Sequence, residues 1–229
     1  GSRPFIYSAV DPSHDELLFS IPKLSAVPPK GYLPDYPSTI YPFDILDYQA
    51  KTIVYDLKES RWMGSYSFTP EGFSILQNEL YSYNDGQLYL HNQYDRQCYF
   101  YDTQYTAKIM FVSNVGAGLP KVYNNITAQS NLVPTFVYFY NDYPIQQSSD
   151  LVDFSFRNIE GNFVANILRN KLVPTAGGYT TDGLLTGEVM RNIAMFVMVE
   201  FSPTGSNVMQ LKFVDIGLRE SIGNTTIKV

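Results

Sequence analysis

Histidine is the commonest general base near neutral pH and so the first residue type that could do chemistry. The chain holds 2 histidines, His14 and His91, far apart in sequence. Neither sits in a His-Glu-x-x-His pattern or in a Cys/His zinc spacing. A single cysteine, Cys98, rules out a cysteine-rich zinc site and any intramolecular disulfide. A Ser-His-Asp triad stays open by count, yet no Gly-x-Ser-x-Gly elbow occurs. Gly116-Ala117-Gly118 lacks the further glycine and the helix that would cradle a phosphate. Glycoside hydrolysis needs two carboxyl groups held roughly 5–10 Å apart. Asp11/Asp15 and Asp44/Asp47 are expected in loops, and Asp150/Asp153 on opposite faces of a regular strand. Asn84-Asp85-Gly86 offers oxygens without the spacing of a calcium loop, and a turn explains it better. Cys98, beside Tyr99 and Phe100 with only Arg96 near to activate it, is expected to be buried and inert. The expectation is a protein with no catalytic residue, no metal site and no cofactor.

Composition narrows the partners. The formal net charge is -6 and no run of Lys or Arg occurs. That excludes the basic face with which nucleic-acid binders neutralise phosphates. Hydrophobic residues make up 45% and charged residues 17%, enough apolar surface to offset the entropy of ordering a folded chain. No apolar stretch reaches the 18 or so residues that a membrane-spanning helix requires. Gly1-Ser2 reads as a scar of tag cleavage, with the natural N-terminus expected elsewhere.

Strands must position whatever the chain presents. Tyr (19) and Phe (15) are abundant, and both favour strands. In the first half, strands are expected at Glu16–Ile21, Thr52–Asp56, Gly64–Phe68, Glu79–Tyr83 and Gln87–His91. Asp85-Gly86 between the last two predicts a type I′ hairpin, because both central residues need positive φ. Ile53 to Trp62 and Leu88 to Gln97 each read as strand, turn, strand, an internal repeat suggestive of propeller blades. Residues 27–42 crowd five prolines with Tyr32, Tyr36 and Tyr41, and proline suits neither helix nor central strand. This is expected to be a long loop or arm, and its three tyrosines are the candidate interaction surface. In the second half, strands are expected at Lys108–Ser113, Thr135–Tyr140, Asp150–Phe156 and Phe163–Leu168. Ile193–Phe201 and Val208–Ile216 are expected to pair as a hairpin, and Leu172–Gly187 to be a loop. Thr135–Tyr140 is apolar on both faces and so central in its sheet. The expected fold is all-β: a β-propeller-like or meander region at 1–101, then a β-sandwich-like domain at 102–229.

Several short motifs, in order, resemble one family. Arg61-Trp62-Met63-Gly64-Ser65-Tyr66-Ser67-Phe68-Thr69-Pro70-Glu71 resembles a Trp-x-x-x-(Tyr/His)-Ser-(Tyr/Phe)-x-Pro-(Glu/Asp) segment of virion proteins from crAss-like tailed phages. Leu88-Tyr89-Leu90-His91-Asn92 and Phe100-Tyr101-Asp102 follow in the family's order, with Asp102 where a glycine is common. Phe111-Val112-Ser113-Asn114, Lys121-Val122-Tyr123-Asn124-Asn125-Ile126 and Ile167-Leu168-Arg169-Asn170 continue it. The resemblance implies a structural component of the tail or portal-proximal neck, similar to muzzle proteins. It implies action by assembly with other virion proteins, as a multimer in the particle, after synthesis in the host cytoplasm. The residues alone leave two alternatives: a module binding a host-surface glycan or receptor through its tyrosines, and a fragment of a β-propeller glycoside hydrolase. Trp62 is expected in the core as a blade anchor, His91 as a turn residue or a hydrogen-bonded edge residue, and Arg61 and Arg169 at the surface or in ion pairs.

Overall fold

In the computed structural model the described residues are 6–21, 51–92, 97–116, 118–141, 147–175, 178–180, 187–203 and 208–221. The arm at 27–42 with Tyr32, Tyr36 and Tyr41 lies outside them, as do Asp44 and Asp47. The protein is all-β, and it divides into two units, Gly1–Tyr105 and Thr106–Val229.

In the first unit, β1 (Tyr7–Asp11), β2 (Glu16–Ile21), β3 (Lys51–Asp56) and β4 (Arg61–Tyr66) form an antiparallel meander in that order. Side chains alternate as a two-residue period demands: Leu18 and Ser20 on β2, and Thr52 and Val54 on β3, are buried. A second sheet of β5 (Gly72–Leu76), β6 (Glu79–Asn84) and β7 (Gln87–Leu90) contributes Leu80 to a small core with Leu18 and Val54. A short hairpin, β8 (Tyr99–Phe100) and β9 (Thr103–Gln104), ends the unit. Four-stranded meanders are what propeller blades are made of, but no ring of blades forms among the described residues.

The β6–β7 turn is as expected, with Asp85 at φ 50 and Gly86 at φ 71. A Cβ on Gly86 would meet nothing within 4 Å, so the cost of adding one is conformational. Gly86→Ala is expected to lower stability by about 1–2 kcal/mol, read as a fall in the urea midpoint at unchanged slope. The turn and return strand of the second repeat copy run through residues 93–96, which lie outside the described residues. Ile53 to Trp62 does form the β3–β4 hairpin, whereas β7 pairs with β6 and β8 pairs with β9. Just past β7, Asn92 takes a φ of 61 and ties its side chain to Asp11 at 2.7 Å.

The second unit is a two-sheet sandwich. Its strands are β10 (Ala107–Ser113), β11 (Lys121–Ser130), β12 (Phe136–Asn141), β13 (Gln147–Val152), β14 (Arg157–Ile159), β15 (Asn162–Asn166), β16 (Val173–Thr175), β17 (Gly178–Thr180), β18 (Arg191–Asn192), β19 (Met195–Phe201) and β20 (Leu211–Glu220). One sheet runs β10-β19-β12-β13; the other runs β14-β15-β11-β18, with β20 along β11. Val137, Phe139, Leu151, Val197, Val199 and Phe201 of the first meet Tyr123, Ile126, Ala165 and Ile216 of the second in one apolar core. β12 is an inner strand buried from Val137 to Asn141, as its unbroken apolar run requires.

Three expectations fail here. The strand expected over Asp150–Phe156 stops at Val152, and Asp153–Ser155 makes one 3-10 helix turn. Asp153 and Ser155 take backbone N–H groups for themselves: Phe154 N donates to Asp153 Oδ1 at 2.7 Å and Val152 N to Ser155 Oγ at 3.3 Å. β19 and β20 are not a hairpin. β19 has β10 on one edge and β12 on the other, so no edge remains for β20, which crosses to pair with β11. The segment 172–187, expected as a loop, contains the β16–β17 hairpin, with Pro174 opposite Tyr179.

Candidate functional site

The first unit contains a cleft of about 360 Å³. Phe68, just past β4, is its aromatic centre. The Thr52 hydroxyl fixes the backbone there by donating to the Phe68 carbonyl at 2.6 Å. Around the Phe68 ring lie His91 at 4.6 Å, Phe100 at 4.7 Å, Tyr66 stacked at 5.4 Å, and Tyr101 edge-on at 6.0 Å. Tyr101 and Asp102 reach this place because both adopt positive φ, 48 and 59, in the β8–β9 turn.

Two polar groups hold the cleft together. Ser82 Oγ lies 2.6 Å from His91 Nε2 and 2.8 Å from the Tyr101 hydroxyl, joining β6, the end of β7 and the β8–β9 turn. Burial lowers the His91 pKa to about 4, so the imidazole is neutral at physiological pH. Asp11, 3% exposed at the end of β1, accepts from Asn92 Nδ2 at 2.7 Å and from Ser13 N at 2.9 Å, and its Oδ2 lies 3.0 Å from His14 Nδ1.

Ser82, His91 and Asp11 are the residue types of a hydrolytic triad, gathered on one side of one unit. Their geometry does other work. Ser82 is fully buried and is not among the residues that line the cleft. Burial makes the imidazole a weaker base than an ordinary histidine. The Asp11 carboxylate is engaged by Asn92, Ser13 and His14. The groups are cross-links: three segments distant in sequence are fastened by hydrogen bonds that burial makes costly to break.

His91 is therefore the hydrogen-bonded residue that was expected. Asp11 was expected in a loop and is instead the buried last residue of β1. Sequence reasoning missed Ser82, although its place two residues from the buried Leu80 puts it on the inward face. Cys98 is half-buried rather than buried, and burial raises its thiol pKa, which disfavours the reactive thiolate. Among the described residues, no three His, Cys, Asp or Glu side chains are grouped to hold a metal, and no helix is long and apolar enough to cross a membrane. Arg169 Nη1 donates to the Gly187 carbonyl at 3.0 Å, and Arg61 is exposed.

Trp62 is not a core anchor. It is 61% exposed on the outer face of the meander, 5.2 Å from Tyr55 and 6.0 Å from Phe19. Pairing with Tyr55 sets it there, while Leu18 and Val54 fill the opposite, inward face. Trp62→Ser is expected to cost about 1 kcal/mol in urea unfolding, the worth of an exposed aromatic pair. A core tryptophan would cost about 3–5 kcal/mol.

Residues 96–170 match a family described as the Crassvirus muzzle protein C-terminal domain. The matched segment runs from just before β8 to just past β15. No curated protein matches the chain. The match bears out the resemblance to structural proteins of crAss-like phages that the ordered motifs carried.

Proposed function

We propose that the protein is a non-enzymatic structural component of a tailed-phage virion, placed in the tail or portal-proximal neck and acting through assembly with other virion proteins. The observation that carries this reading is the match of residues 96–170 to the muzzle C-terminal domain. The side chains agree with it in kind. The triad-like residues of the first unit are spent on joining strands, and the second unit is a sandwich filled by its own apolar side chains. Synthesis in the host cytoplasm followed by incorporation into particles belongs to the same reading, as does a docking role for the arm carrying Tyr32, Tyr36 and Tyr41. Immunogold labelling of purified phage particles with an antibody to this chain tests the placement. Gold at the junction of head and tail is expected; gold over the capsid shell, or none on intact particles, contradicts it.

A further inference from the structure

β10 is an edge strand by its neighbours and a central strand by its sequence. It ends the sheet β10-β19-β12-β13, pairing with β19 on one side. Among the described residues no strand pairs with its other side. Edge strands ordinarily carry charges, prolines or bulges that discourage further pairing. β20 follows that rule, with Lys212, Asp215, Arg219 and Glu220. β13, at the opposite end of β10's own sheet, is covered instead: Lys171 N donates to the Ser148 carbonyl at 2.9 Å, and Ser148 N to Asn170 Oδ1 at 2.9 Å.

β10 does neither. Its seven residues, Ala-Lys-Ile-Met-Phe-Val-Ser, include one charge, Lys108, and that is paired across the ladder with Glu200 at 3.2 Å. Ala107 and Phe111 pack on the core, and Ile109, on the same face, stays 38% exposed. Met110 and Val112 on the outer face are 59% and 49% exposed, opposite Met198 and Phe196 of β19. From Ile109 to Val112 both faces of the strand are thus apolar up to an edge that no described strand pairs with, while at its end Ser113 is buried and its carbonyl accepts from the Tyr123 hydroxyl at 3.2 Å. Unpaired backbone donors and acceptors flanked this way fit another extended strand.

We propose that the β10 edge is completed by β10 of a second copy of this chain, antiparallel and centred on Met110. The inference rests on the assembly reading and specifies one contact for it. The edge is complementary to itself. In that register Ala107 faces Ser113, Lys108 faces Val112, Ile109 faces Phe111 and Met110 faces its own counterpart. The two Lys108 charges fall at opposite ends, so no like charges meet. Met110 and Val112 of both copies then make one continuous apolar face, the arrangement of a two-fold contact.

Light scattering coupled to gel filtration tests this on the whole chain, with hydrogen exchange as a second readout. The wild type is expected at twice the 26.0 kDa of one chain, with protection of those amides of 107–113 that do not donate to β19. Met110→Lys and Val112→Lys alter exposed side chains and so spare the fold. Each is expected to halve the mass and release that protection, with circular dichroism unchanged. Phe213→Lys, on the charged β20 edge, is expected to leave the mass doubled. A wild type of single-chain mass at every concentration, or a dimer that survives both β10 variants, overturns the pairing. Neither result touches the placement in the particle, which immunogold labelling decides separately.

Discussion

Phe139→Ala is expected to destabilise the sandwich by about 3–5 kcal/mol, a large share of the 5–15 kcal/mol that holds a typical domain folded. Phe139 is 0% exposed at the middle of β12, with Val197 of β19 on one side and Ser149 of β13 on the other. Its ring belongs to the core that both sheets build, so truncation removes the transfer energy of the ring and leaves a cavity between them. Phe213→Ala is the matched control. Phe213 is 45% exposed on β20, and its loss is expected to cost under about 1 kcal/mol. Urea unfolding reads both as midpoint shifts at constant slope. A cost for Phe139 no larger than that for Phe213 would mean that the two sheets do not close on this ring.

Acid is expected to weaken the protein between about pH 6.5 and pH 4, through His91. Its pKa is lowered by burial from the ordinary 6.5 to about 4 in the folded chain. A depressed folded value contributes stability that is complete above the unfolded pKa and is lost as pH falls through the folded one. The unfolded chain takes up the proton first, so each step down that window favours unfolding. The whole shift corresponds to at most roughly 3 kcal/mol, since one unit is about 1.4 kcal/mol. Glu16 works in the opposite sense: burial raises its carboxyl pKa, so acid relieves a charge the fold disfavours. His91→Gln keeps a polar partner for Ser82 but does not titrate. Urea midpoints measured from about pH 6.5 down to about 4 are expected to fall more steeply for the wild type than for the variant, in which Glu16 still titrates. Parallel curves would show that His91 is not the group responsible.

The parts of the fold that depend on neighbouring residues were legible in the sequence. Asp85-Gly86 specified its turn because few residue pairs accept positive φ twice, and the apolar run of β12 specified burial on both faces. Sheet membership was not legible. A two-residue period says which face of a strand is apolar and nothing about which strand lies beside it, so β19 and β20 were joined as a hairpin across what is a change of sheet. Trp62 failed for a related reason: its type argued for the core, while its pairing with Tyr55 put it on the outer face. The polar links of the first unit were hidden by distance along the chain. Asp11 and Asn92 are 81 positions apart, and neither carries a local signal for the other. Ser82 and His91 are 9 apart on β6 and just past β7, near enough that the hairpin register could have suggested the pair.

The proposed role makes the chain part of a particle rather than an agent acting in the infected cell. Quantitative mass spectrometry of density-purified phage particles, set beside the lysate they came from, tests that directly. Peptides of this chain are expected in intact particles at a fixed ratio to the other structural proteins, unchanged by further purification. Their confinement to the lysate, with particles free of them, would contradict the account.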